Sequence, residues 1–122
     1  MTRAKLYGIP NCDKVKKARA WLADGGYAID FYDFKKNGID HATIMEWLRD
    51  VSWEILLNRK GTTWRALSDA RKAAVTDAES AVALMLEMPS IIKRPVLVLG
   101  SPDHTVVDFS DALYQSLFKK SI

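Results

Sequence analysis

AKLYGIPNCDKVKKARAWLADGGYAIDFYDF, residues 4–34, carries the pattern that decides the fold. Ala4 to Tyr7 reads as a short strand, and Gly8-Ile9-Pro10-Asn11 interrupts it, because glycine and proline suit neither a strand nor a helix interior. Cys12 ends that loop. Asp13 to Asp24 then places Val15, Ala18 and Leu22 on one helical face, with acidic Asp13 in the first turn, where the helix dipole favours it. Gly25-Gly26 stops this helix. Tyr27 to Phe34 alternates Tyr27, Ile29 and Phe31 against Ala28, Asp30 and Tyr32, the period of a strand. Strand, helix-length crossover and strand predict a parallel, right-handed βαβ unit.

Beyond this unit Asn37-Gly38 turns the chain, and Asp40 is placed to cap a helix carrying Ile44, Trp47, Leu48 and Val51 at i, i+3, i+4, i+7. Trp53 to Met88 stays helical, with a break at Gly61 and fresh starts at Ser68 and Thr76. Thr76 and Glu79 have capping-box spacing, and Ala78, Ala81, Val82 and Met85 make an apolar stripe closed by Pro89. Val96 to Leu99 and Thr105 to Phe109 read as two strands of an antiparallel hairpin, turned at Gly100-Ser101-Pro102-Asp103. Ser110 caps a last helix with Leu113, Leu117 and Phe118 facing inward. The order β-α-β, helices, β-β-α predicts an α/β fold: a small mixed sheet of thioredoxin type with helices on its faces. Residues 1–122 are expected to form a single domain with a helical insert at about 40–88.

Composition narrows the function classes. The chain has 122 residues, enough to bury about two-thirds of its unfolded surface without metal or disulfide. A single cysteine excludes an internal disulfide, so redox chemistry at this sulfur needs a thiol from another molecule. There is no apolar run near the roughly 18 residues of a membrane span and no apolar leader at the N-terminus, which points to a cytoplasmic protein without a membrane partner. The net charge of +3 is dispersed along the chain, so nucleic acid is not an expected partner and small anionic ligands are. His41 and His104 are too few and too isolated for a metal site. Trp21, Trp47, Trp53 and Trp64 are expected to pack in the core or the insert.

Cys12 is the residue placed for chemistry. A thiol attacks as thiolate, and a free cysteine's pKa of about 8.5 leaves little of that form at neutral pH. At a loop-to-helix junction the unpaired N–H groups and the dipole favour the anion, and Lys14, Lys16, Lys17 and Arg19 add positive charge. The competing reading is a small buried hydrophobe, but neighbours Pro10, Asn11 and Asp13 make poor core company.

The segment Tyr7 to Ala18 resembles the active-site stretch of the ArsC/Spx/YffB family, and the YffB branch most closely. The similarity continues through Asn58-Arg59-Lys60-Gly61 and Ile92-Lys93-Arg94-Pro95-Val96, in the same order. The resemblance implies a thioredoxin-like domain with Cys12 as redox nucleophile and Arg59 and Arg94 beside it as thiolate-stabilising, catalytic residues. Arginine suits both tasks, since it stays cationic and offers several donors to a thiolate, an oxyanion or a carboxylate. Pro95 matches the proline that is cis in such folds and faces the cysteine. Asn11, Asp13, Lys14 and Pro95 are then expected to contact the substrate.

Three departures shape the functional reading. Val15 stands where a second cysteine completes Cys-x-x-Cys, Gly8 stands where arsenate reductases carry a histidine, and no arginine follows Arg94. A one-cysteine thiol reductase fits best: no cofactor is bound, glutathione is the co-substrate, and a mixed disulfide forms at Cys12. Arsenate-type oxyanion reduction is one alternative. A Spx-like regulator that binds RNA polymerase is the other.

Overall fold

The computed structural model describes residues 3–100 and 104–119. The chain forms two compact units, one from residues up to Tyr32 together with those from Arg94 onward, the other from Asp33 to Lys93. The helical unit is therefore larger than the 40–88 read from sequence.

The first unit is built on β1 (Arg3–Gly8), α1 (Asp13–Asp24), β2 (Ala28–Asp33), β3 (Val96–Leu99), β4 (His104–Val107) and α8 (Asp111–Lys119). Its strands form one mixed sheet in the order β2-β1-β3-β4. β1 runs antiparallel to β3 with Leu6 opposite Leu97, and β3 runs antiparallel to β4 with Leu97 opposite Val106, so the expected hairpin is present. β4 begins one residue earlier than its β-branched run suggests and ends at Val107, because Asp108 leaves the strand in a left-handed conformation with φ 80°. The turn residues 101–103 lie outside the described residues.

α1 buries Val15, Ala18 and Leu22, as their spacing requires. It ends at glycine for a physical reason: Gly26 adopts φ 75°, where side chains are costly, while Tyr27 N–H returns to the Leu22 carbonyl at 3.0 Å. At α8, Ser110 Oγ accepts from Leu113 N–H at 3.0 Å, the expected cap. Ala4, Leu6, Ala18, Leu22, Leu97, Tyr114 and Phe118 form the core of this unit. Trp21 joins α1 to α8: its ring lies edge-on to Tyr114 at 5.5 Å, and its indole N–H donates to Asp111 Oδ1. Tyr114 is absent from the residues predicted to face inward, yet it is the one fully covered on its helix.

The second unit contains α2 (Phe34–Asn37), α3 (His41–Trp47), α4 (Trp53–Leu56), α5 (Thr62–Arg65), α6 (Asp69–Ala73), α7 (Ala78–Glu87) and a 3-10 turn at Pro89–Ile91. Short helices need caps, since unpaired N–H groups are a large share of their backbone. Asp33, Asp40, Ser52 and Ser68 supply side-chain acceptors for α2, α3, α4 and α6. The capping box sits one residue later than its spacing suggested: Asp77 and Ser80 make the reciprocal bonds, not Thr76 and Glu79. Two further expectations are corrected. α3 ends at Trp47, so the buried Val51 lies past it rather than on its fourth face position, and Ala78 is exposed while Leu84 takes its place in the buried stripe. Phe34, Ile44, Trp47, Leu56, Met85 and Ile92 are fully buried in this unit. Leu57 bridges Ile92, and Lys93 N–H donates to the Leu56 carbonyl at 2.8 Å, tying the α4 end to the exit segment.

Tyr114 allows a stability test. Its ring is 0 % exposed, and its hydroxyl finds no hydrogen-bond partner among the described residues. Tyr114→Ala is expected to cost about 3–5 kcal/mol through the cavity it leaves. Tyr114→Phe keeps the ring contacts and discards the unpaired hydroxyl, so denaturant melts should show it at least as stable as the parent. A Tyr114→Phe protein destabilised by more than about 1 kcal/mol would reveal a hydroxyl partner worth a full hydrogen bond.

Candidate active site

Cys12 closes the turn that leaves β1. Its N–H donates to the Ile9 carbonyl at 3.1 Å, and its carbonyl accepts from Lys16 N–H at 3.0 Å, the first bond of α1. The residue is thus the helix N-cap, with extended backbone at φ −84° and ψ 130°. An N-cap usually offers an oxygen to the orphan N–H groups of the first turn. Here the side chain is a half-buried thiol.

Burial pushes the thiol pKa up, and several groups together outweigh it. The Val15 backbone N–H, the Arg94 side chain by hydrogen bond and by charge, and the Lys14 backbone N–H hold Cys12 below its ordinary value. These are the effects that stabilise an anion at a helix start beside a cation. Arg94 belongs to the segment entering β3. Its peptide bond to Pro95 is cis and Pro95 is buried.

Gly8 and Val15, two of the three departures from the wider family pattern, touch each other. A Cβ at Gly8 would stand 2.7 Å from Val15 Cγ2, inside any real contact distance. Val15 is fully buried and, being β-branched, has little rotamer freedom with which to yield. The side chain that replaces a resolving cysteine therefore also enforces the glycine that replaces a histidine.

The remaining expected site residues divide by unit. Asn11 and Asp13 are exposed on either side of Cys12. Lys14, expected to contact substrate, is exposed, and its ammonium pairs with Asp108 Oδ1 at 2.7 Å. Arg59 lies in the second unit, just past α4, where its guanidinium stands over the rings of Trp53 at 5.5 Å and Trp64 at 5.8 Å. Both tryptophans were read as packing residues; they also hold a cation. The residue that sequence reasoning missed is Asp108, and only its chemistry, an acid between a strand and a capping serine, hinted at a local role. Among the described residues no group of three His, Cys, Asp or Glu could hold a metal ion, and no helix is long and apolar enough to cross a membrane.

Comparison with known proteins places this arrangement. The model of the ArsC family matches residues 7–117, nearly the full chain. The chain belongs to the ArsC family. An uncharacterised protein of Haemophilus influenzae is 34 % identical over 113 residues, covering 93 % of this chain and 96 % of that protein. Among solved structures, a YffB protein is 46 % identical with a TM-score of 0.85, covering 93 % of this chain and 96 % of its own. An arsenate reductase-related protein from Brucella melitensis is also 46 % identical, with a TM-score of 0.73 and coverage of 96 % and 95 %. This ArsC-family chain therefore has the thioredoxin-like α/β fold and is an arsenate reductase-like member of an oxidoreductase family.

The site yields a pH prediction. A lowered thiol pKa keeps thiolate present at neutral pH, so iodoacetamide alkylation of Cys12 should stay fast as pH falls through the ordinary thiol range near 8.5 and decline only below the shifted pKa. Arg94→Ala removes a stabiliser of the anion, and the midpoint should move up. An alkylation midpoint at or above that of free cysteine in the parent protein would mean a silent thiol.

Proposed function

We propose that this protein is a glutathione-dependent thiol reductase that works through one cysteine. The observation that carries the reading is a thiol held below its ordinary pKa by helix N–H groups and Arg94, in a chain with no second cysteine to resolve it. The Cys12 thiolate attacks the glutathione sulfur of a mixed disulfide on the substrate. The substrate's S–S bond breaks, its thiolate leaves and takes a proton, and Cys12 is left joined to glutathione. The thiolate of a second glutathione then attacks that bond, freeing Cys12 and releasing oxidised glutathione, so the two electrons come from outside the chain.

In this reading Arg94 stabilises the thiolate as both attacking and leaving group. Arg59, ordered by its two tryptophans, offers a fork to a glutathione carboxylate. Asn11 and Asp13 shape the exposed edge of the cysteine loop, and Pro95, buried itself, supports the backbone beside which an extended thiol peptide docks. A reducing, glutathione-rich compartment such as the cytoplasm supplies the co-substrate. Oxyanion reduction of the arsenate type fits less well, because the Gly8–Val15 contact leaves no room for a side chain at position 8. No observation favours a polymerase-binding regulator.

The test is turnover of a glutathionylated peptide with excess glutathione, followed by intact mass. The parent protein should carry one glutathione on Cys12 and turn over. Cys12→Ser should do neither, and Arg94→Ala should be slower by about tenfold, the scale of one hydrogen bond to a charged group. Activity surviving in Cys12→Ser would rule the mechanism out. Glutathione-linked arsenate turnover that disappears in Arg94→Ala would move the assignment to oxyanion reduction.

A further inference from the structure

Asp108 sits beyond the end of β4 and has no place in the chemistry described above, yet its geometry is specific. It is a non-glycine residue at φ 80°, a region that side chains rarely occupy and that Asp and Asn tolerate best. Three contacts converge on it. Its N–H donates to the Pro95 carbonyl at 2.9 Å. Its Oδ1 accepts from the Phe109 N–H at 2.7 Å, which closes the bend that the left-handed backbone starts. The same oxygen takes the Lys14 ammonium at 2.7 Å. Pro95 follows Arg94, and Lys14 lies two residues after Cys12 in the first turn of α1.

We propose that Asp108 is a positioning residue that ties the segment carrying Arg94 to the helix start carrying Cys12, and so sets the approach of the guanidinium to the thiolate. The backbone bond to Pro95 fixes one side and the ion pair to Lys14 fixes the other. The left-handed bend lets one residue reach both, since an extended residue at the end of β4 would continue the strand and carry its carboxylate away. Neither Lys14 nor Asp108 is deeply buried, with side chains 53 % and 31 % exposed, so the pair adds little stability of its own. Its effect lies in geometry: a thiolate–guanidinium contact weakens quickly with distance and misalignment.

The sign of the effect separates this role from plain electrostatics. Among the ionisable groups that meet Asp108 are Lys14 on α1, which pairs with it, and Tyr114 on α8, whose hydroxyl pKa is pushed up by burial and by the Asp108 charge. A carboxylate acting through space disfavours a nearby thiolate, so its removal would lower the Cys12 pKa. A positioning carboxylate does the reverse.

The test is the pH profile of iodoacetamide alkylation at Cys12, in full-length protein and without glutathione. Asp108→Ala and Asp108→Gly should both raise the midpoint, by about half a unit, which is about a threefold fall in the ionisation constant of the thiol. Glycine accepts the positive φ at no steric cost, so it answers the question even where alanine fails to fold. Asp108→Asn tolerates the same backbone and still offers an oxygen to Phe109 N–H but loses the ion pair to Lys14, so its midpoint should fall between those of the parent and Asp108→Gly. In an Arg94→Ala background, Asp108→Gly should add almost nothing, because the two residues act through one contact. A midpoint that is unchanged or lower in Asp108→Gly, or that shifts equally without Arg94, overturns the proposal. The role of Asp108 rests on the thiolate reading but not on glutathione. Failed turnover with an intact alkylation shift would discard the substrate assignment and leave the positioning role standing.

Discussion

A half-buried thiol whose ionisation is favoured against the cost of burial sets the terms for the first unit. Burial alone drives the Cys12 thiol toward its neutral form, and only fixed donors and a cation reverse the balance. The donors come from the start of α1, which exists because Val15, Ala18 and Leu22 have an apolar face to bury. The cation comes from a segment more than eighty residues later. Sheet order makes the meeting possible, since β3 pairs directly with β1 and so brings the residues entering β3 to the end of β1 where Cys12 lies. The aromatic packing of Trp21, Tyr114 and Phe118 then fixes α8 against α1, giving the cysteine loop a rigid base.

Gly8 and Val15 show how packing constrains redox logic. Their contact leaves no space for a larger residue at position 8, and the apolar group at position 15 provides no resolving thiol. A chain built this way carries one thiol and no second thiol with which to pair it internally.

The second unit solves a different problem. Its helices are short, several of four or five residues, and such pieces do not persist on propensity alone. Side-chain caps at Asp33, Asp40, Ser52, Ser68 and Asp77 satisfy their ends, and a core around Phe34, Trp47 and Met85 gives them something to cover. On its surface Trp53 and Trp64 flank the Arg59 guanidinium. A long, rotamer-rich cation is thereby ordered by aromatic faces instead of by an acid that would cancel its charge.

Local grammar in the sequence was enough for the strands, for α1, α7 and α8, for the helix start at Ser68 and for the caps at Asp40 and Ser110, because periodicity and capping act over a few residues. It was enough as well to place Cys12 at the start of α1, because a loop-to-helix junction is itself local. The boundary of the helical unit, the one-residue slip of the capping box and the end of α3 before Val51 were decided by tertiary packing, which chooses between neighbouring registers of nearly equal local preference. Arg94 was legible only through resemblance. Nothing in its neighbourhood along the chain marks it, because its partner lies across the sheet. Asp108 is the clearest case: its backbone conformation and its three contacts arise from residues at 14, 95 and 109 meeting in space. The position of the single thiol at a loop-to-helix junction was therefore determined by the sequence alone, and the surroundings that lower its pKa by the fold, since pKa shifts depend on distances that only a folded chain defines.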